Sequence, residues 1–112
     1  MRWCAVEWLV PWRPISDDPA QAKGMERELA RELSGDHQLF GLPVRAAASR
    51  QDCDDVLFAA EDGTGRVAVV HLTWTSSPPE QQPYPWTVVY ASFDAWLAEG
   101  MAPDHDDFFT GE

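Results

Sequence analysis

His71 is the residue of this sequence with the most to offer chemistry. It stands in Val70-His71-Leu72-Thr73-Trp74, and an imidazole titrates near neutral pH, so it can serve as a general base or a ligand. Thr73 lies two residues on, and Ser76 and Ser77 follow shortly after, which makes a Ser–His pairing conceivable. A working serine nucleophile also needs a tight elbow, backbone donors for an oxyanion and a group that orients the imidazole. The sequence displays none of these. A structural histidine, bonded to a neighbouring carboxylate or carbonyl, is the simpler account.

Two acidic clusters come next, Asp52-x-Asp54-Asp55 and Asp104-His105-Asp106-Asp107. Carboxylates at alternating positions suit hard cations, and His with Asp suits transition metals. Neither cluster has the glycine and terminal glutamate of a calcium loop. Such clusters are more often turns, caps or solvated ends, so no metal site and no cofactor is expected. The third constellation is aromatic. Trp74, Tyr84 and Trp86 flank a proline-rich loop and could line a groove for a peptide, sugar or small ligand. The alternative is that Trp74 and Trp96 fill a core while Trp86 clamps the loop. Candidate binding residues are therefore His71, Thr73, Trp74, Tyr84 and Trp86.

The elements that must position these residues are legible to different degrees. Trp3 to Val10 alternates as a strand would, although the same stretch could form a short helix, and Pro11 and Pro14 then enforce an extended or turning connection. A helix begins after Asp18, with Pro19 at its first position and Gln21 where a capping box wants Glu or Gln. Ala22, Met25, Leu29 and Leu33 make its apolar stripe, and Gly35 is a candidate left-handed stop. Val44 to Arg50 reads as a strand rich in small residues. Val56 to Ala60 and Val67 to Trp74 form a hairpin about Asp62-Gly63. Val67 to Val70 is apolar on both faces, as in a strand covered on both sides. Beyond it Leu72 and Trp74 share one face, and His71 and Thr73 the other. After the loop Thr75 to Pro85, Thr87 to Ala91 is a further strand. Ser92 caps a helix bearing Phe93, Trp96, Leu97 and Met101, which Gly100 and Pro103 close. The expected fold is α+β: an antiparallel meander of about four to five strands packed with an N-terminal and a C-terminal helix. Residues 1–103 would be a single domain and 104–112 an acidic tail carrying Phe108 and Phe109.

Composition narrows the function classes. The 112 residues hold 8 basic and 19 acidic side chains, a net charge of −11, and 45% are apolar. Such a charge disfavours phosphate backbones and anionic lipid, so neither nucleic acid nor a membrane is an expected partner. It permits a basic protein partner. Cys4 and Cys53 lack metal-ligand spacing, Glu7 interrupts the start too early for a signal peptide, and no apolar run approaches bilayer length. These features point to the cytoplasm.

The runs Asp54-Asp55-Val56-Leu57-Phe58, Val70-His71-Leu72-Thr73-Trp74 and Pro85-Trp86-Thr87, with Ser92-Phe93 and Trp96, resemble a group of small uncharacterised bacterial proteins, from about Trp12 to the end of the second helix. The resemblance implies a bacterial, stand-alone cytosolic protein and carries no activity. Size, acidity and the lack of a catalytic set favour a non-catalytic protein-binding or regulatory module of the inhibitor or immunity kind. The rival is a small enzyme or small-molecule binder centred on His71 and the proline-rich loop.

Overall fold

The computed structural model describes residues 8–15, 18–33, 35, 38–51, 53–72 and 86–110, the side chains of Trp86, Phe108, Phe109 and Thr110 excepted. Five strands form one antiparallel sheet in chain order: β1 (Trp12–Pro14), β2 (Val44–Arg50), β3 (Asp55–Ala60), β4 (Val67–His71) and β5 (Trp86–Tyr90). Helix α1 (Pro19–Glu32) lies between β1 and β2. After β5, helix α2 (Phe93–Trp96), a π turn (Leu97–Met101) and helix α3 (Ala102–Thr110) follow one another without a break. The α+β meander is thus as expected, with β1 and β5 as its outer strands among the described residues.

The period-two alternation of the central strands creates two cores, one on each face. Val56, Phe58, Ala68, Val70 and Leu72 pack with Ile15, Leu29 and Leu33 on the α1 side. Leu57, Ala59 and Val67 pack with Trp12, Phe93, Trp96 and Met101 beneath the C-terminal helix. Covering both faces accounts for the near-continuous apolar runs of β3 and β4. Each fully buried Phe or Leu contributes about 1.5–3 kcal/mol relative to exposure.

Helix α1 begins as its sequence demands: the Asp18 carboxylate accepts from the Gln21 N–H at 3.1 Å, with Pro19 just inside. Its end differs from expectation. Leu33 turns extended and donates its N–H to the Leu29 carbonyl, and Gly35 is not among the glycines with positive φ. An extended cap needs no left-handed residue. The β3–β4 connection is held by Asp62, whose carboxylate accepts from the Thr64 N–H, the Thr64 hydroxyl and Arg66 Nη2. Gly63 and Gly65 take the positive φ values, 84° and 80°, that this tight reversal requires.

Four boundaries move. The first strand among the described residues is β1, Trp12–Pro14; of the strand expected over Trp3 to Val10, residues 3–7 lie outside the described residues and Trp8 to Val10 is not strand. Pro14 is tolerated because β1 is an edge. The strand expected over Val67 to Trp74 ends at His71, and the one expected over Thr87 to Ala91 is Trp86–Tyr90. The C-terminal helix does not close at Gly100 and Pro103. The π turn, in which the Ala102 N–H reaches the Leu97 carbonyl, widens the backbone just before Pro103. That relieves the clash and the missing donor by which proline would break an α-helix.

Strand β2 carries a bulge at Ala47, so Ala46 opposes Phe58 while Ala48 opposes Leu57. The bulge moves Ala46 and Ala48 to opposite cores. β1 pairs only with residues Ala48, Ser49 and Arg50. Beyond its reach, Glu26 of α1 accepts from the Ala46 N–H at 2.9 Å and closes that edge.

Candidate functional site

His71 ends β4 directly opposite Asp55, the first residue of β3, and opposite Trp86 of β5. Strand alternation puts Asp55 and His71 on the face of Leu57 and Val69, the face beneath the C-terminal helix. His71 Nδ1 lies 2.7 Å from Asp55 Oδ1. An ionised carboxylate only accepts, so Nδ1 carries the proton and Nε2 is left as the basic nitrogen. The His71 side chain keeps 52% of its surface in water. The pair is an oriented, accessible imidazole at the rim of the sheet. The carboxylate partner anticipated for a structural histidine is present, and it is also the orienting group the sequence did not reveal. The signal was the spacing Asp55 to His71 about a hairpin centred near Gly63.

Of the other proposed binding residues, Thr73, Trp74 and Tyr84 lie outside the described residues, as do Ser76 and Ser77 and the Trp86 side chain. Only the Trp86 backbone is placed, opposite His71.

The start of the second acidic cluster has structural employment. Asp104, in the first turn of α3, accepts from Trp12 Nε1 at 2.9 Å and lies 3.6 Å from Arg50 Nη1. His105 Nδ1 donates to the Val10 carbonyl at 2.7 Å. The first turn of the acidic segment therefore fastens the C-terminal helix to β1, β2 and the residues before β1. Trp8 joins the same seam, packing on Phe93 and Trp96 at ring-centroid distances of 6.1 and 6.0 Å. Among the described residues, no three His, Cys, Asp or Glu side chains converge as metal ligands would.

A second polar feature was not legible. A cleft of about 190 Å³ opens between α1 and the β2–β3 turn, lined by Arg13, Gln21, Ser49, Cys53 and Asp54 among others. Its residues come from three separate stretches of the chain, so no sequence window contains it. At the other end of α1, Glu32 is wholly buried and its side chain bonds to Glu28. Burial pushes the Glu28 carboxyl up, but hydrogen bonds from Glu32 and Arg31 outweigh it and hold Glu28 below the ordinary range.

Among the described residues no helix is long and apolar enough to cross a membrane. A comparison of the chain with protein-family models, curated proteins and solved structures finds no match in any of the three.

Proposed function

We propose that this chain is a non-catalytic protein-binding module of the regulatory, inhibitor-like kind, which meets a basic partner through an acidic surface. The observation that carries the reading is charge segregation. From Val67 onward the chain has seven acidic side chains and neither lysine nor arginine; all eight basic residues precede it. That half builds β4, β5 and the C-terminal helix, with Asp94, Glu99, Asp106 and Asp107 exposed along the helix. One-signed charge on one side of a small protein speeds encounter with a cationic partner and makes the rate salt-dependent. A bacterial, cytoplasmic setting belongs to the same proposal and rests on the resemblance described above.

The test is capture from the native host at low salt, with wild type beside a Glu99→Gln/Asp107→Asn variant. A basic protein retained by wild type, and lost with the variant or at high salt, supports the reading. Recovery of no partner by wild type at low salt defeats it.

The Asp55–His71 pair favours a second reading, a small enzyme or small-molecule binder. Orientation of an imidazole by a carboxylate is what general-base chemistry uses. If it applies, a ligand or substrate that shifts the His71 ring resonances in NMR will lose its effect in Asp55→Asn. A wide screen of small molecules that leaves those resonances unmoved counts against it.

A further inference from the structure

The geometry points to the cleft between α1 and the β2–β3 turn as a binding site for a free α-amino acid with a small apolar side chain. The cleft opens on the α1 face of the sheet, opposite the face that carries the His71 side chain. It is thus separate from the Asp55–His71 pair and from the acidic C-terminal half.

Strand register builds its floor. Arg13 of β1 lies directly opposite Ser49 of β2, and Ser49 opposite Val56 of β3. Directly opposed residues share a face, and Val56 packs in the core beneath α1. One row of side chains therefore runs Arg13, Ser49, Val56 along that face. Gln21 and Met25 of α1 line the cleft as well, and so does Asp54, just before β3.

An unanswered hydroxyl is the decisive feature. Ser49 is only 5% exposed, and a buried hydroxyl normally has a hydrogen-bond partner. Among the described residues the Ser49 side chain forms no such bond. Its oxygen is not sealed in either: the sealed side-chain atom without a partner is Trp96 Nε1. The opening left to Ser49 Oγ is the cleft that it lines, and a ligand seated there would satisfy it.

Charge and size select the ligand. Arg31, Arg45, Arg50 and Arg66 each hold a carboxylate. Arg13, next to the open hydroxyl, holds none among the described residues. A forked guanidinium beside a hydroxyl suits a ligand carboxylate. Asp55 is engaged by His71, whereas the Asp54 side chain has no bond among the described residues and suits an ammonium. Two strand spacings, roughly 10 Å, separate β1 from β3, so a zwitterion can bridge two groups that do not pair with each other. The cleft measures about 190 Å³. A cavity of about 150 Å³ takes a benzene, and drug-sized ligands need roughly 300 Å³ or more, so nucleotides and peptides are too large. Met25 and Val56 offer an apolar surface to the amino acid's side chain.

The probe is valine, set beside valinamide, which lacks the carboxylate, and N-acetylvaline, which lacks the ammonium. NMR shifts of the Ser49 and Gln51 amides of the full chain are followed up to about 10 mM ligand, the range of weak binding. Valine should shift both amides. Each analogue should bind about tenfold or more weakly, the loss expected of one charge-assisted contact. Arg13→Gln should abolish the preference for valine over valinamide, and Asp54→Asn the preference over N-acetylvaline. Ser49→Ala should weaken valine binding and leave urea unfolding unchanged, because the hydroxyl bonds nothing in the protein.

No shift with valine, alanine or leucine at that concentration would overturn the inference. Equal binding of valine and its two analogues would do the same, as would a Ser49→Ala variant that loses stability and keeps its affinity. Each of these results leaves the acidic-binder reading intact, since that reading rests on the charges of the C-terminal half.

Discussion

Removing the Asp104 carboxylate should loosen the C-terminal helix from the sheet, by an amount the geometry bounds. Trp12 is 1% exposed and its Nε1 donates to Asp104 at 2.9 Å. In Asp104→Ala this buried donor loses its acceptor, which costs about 1–3 kcal/mol. The Arg50 pair, at 3.6 Å and partly in water, adds no more than about 1 kcal/mol. A total near 2–3 kcal/mol is expected from urea unfolding, a large share of the 5–15 kcal/mol typical of a domain. Asp104→Asn retains an acceptor oxygen and should lose roughly half as much. Trp12→Phe removes the donor, so a cycle with Asp104→Ala should give a coupling of about 1–2 kcal/mol. Tyr90 offers an independent readout. Burial pushes its phenol up, and the charges of Asp104 and Glu99 push it further. Asp104→Ala should bring it part of the way back. Additivity of the two substitutions within about 0.5 kcal/mol would refute the hydrogen bond as the fastening.

Other substitutions test other parts of the fold. Gly100→Ala would place a Cβ 2.6 Å from Trp96 Cδ1 and 2.7 Å from its Nε1; thermal unfolding should show a loss of about 1–3 kcal/mol from overpacking, exceeding the helix-propensity gain of about 1 kcal/mol. Glu26→Ala should cost about 1–2 kcal/mol in urea unfolding by orphaning the Ala46 N–H, and Glu26→Gln much less, because the amide oxygen can still accept. Asp62 has its carboxyl lowered from 3.8 to about 2 by hydrogen bonds from Thr64 and Arg66. A depressed carboxyl stabilises the fold above its unfolded pKa, and that contribution fades as pH falls through the folded one. Asp62→Asn should therefore be less stable than wild type at neutral pH, with the two melting curves converging near pH 2.

What could be read from the sequence was what local rules control. Asp18 and Pro19 announce the start of α1 because a cap and a fixed φ act within one turn. The Asp62-Gly63 pair announces the β3–β4 reversal because the turn needs a left-handed residue there, and the apolar runs on either side then fix the register. The misread places are those where tertiary structure outweighs a local signal. Pro103 says stop, but the π turn accommodates it, and Asp104 and His105 anchor the continuing helix to Trp12 and Val10. Pro14 says connection, but an edge strand accepts it. The bulge at Ala47 left no trace in a run of three alanines. The candidate site was half legible: His71 stood out by type, whereas Asp55 became its partner only through hairpin register.

The two buried tryptophans on the helix side show how the same residue type is treated differently according to its neighbours. Trp12 Nε1 has Asp104, whereas Trp96 Nε1 is buried with no partner among the described residues. Trp96 lies against Gly100 in the π turn and stacks on Trp12 edge-to-face, with ring centroids 5.2 Å apart. An orphaned indole N–H costs about 1–3 kcal/mol, so packing must offset it at that position. The absence of a side chain at Gly100 is what lets the indole sit against the backbone of the widened turn. The turn, the glycine and the orphaned donor are therefore one arrangement. It lets the chain continue past Pro103 and deliver Asp104 to the part of the sheet where Trp12 and Arg50 stand side by side.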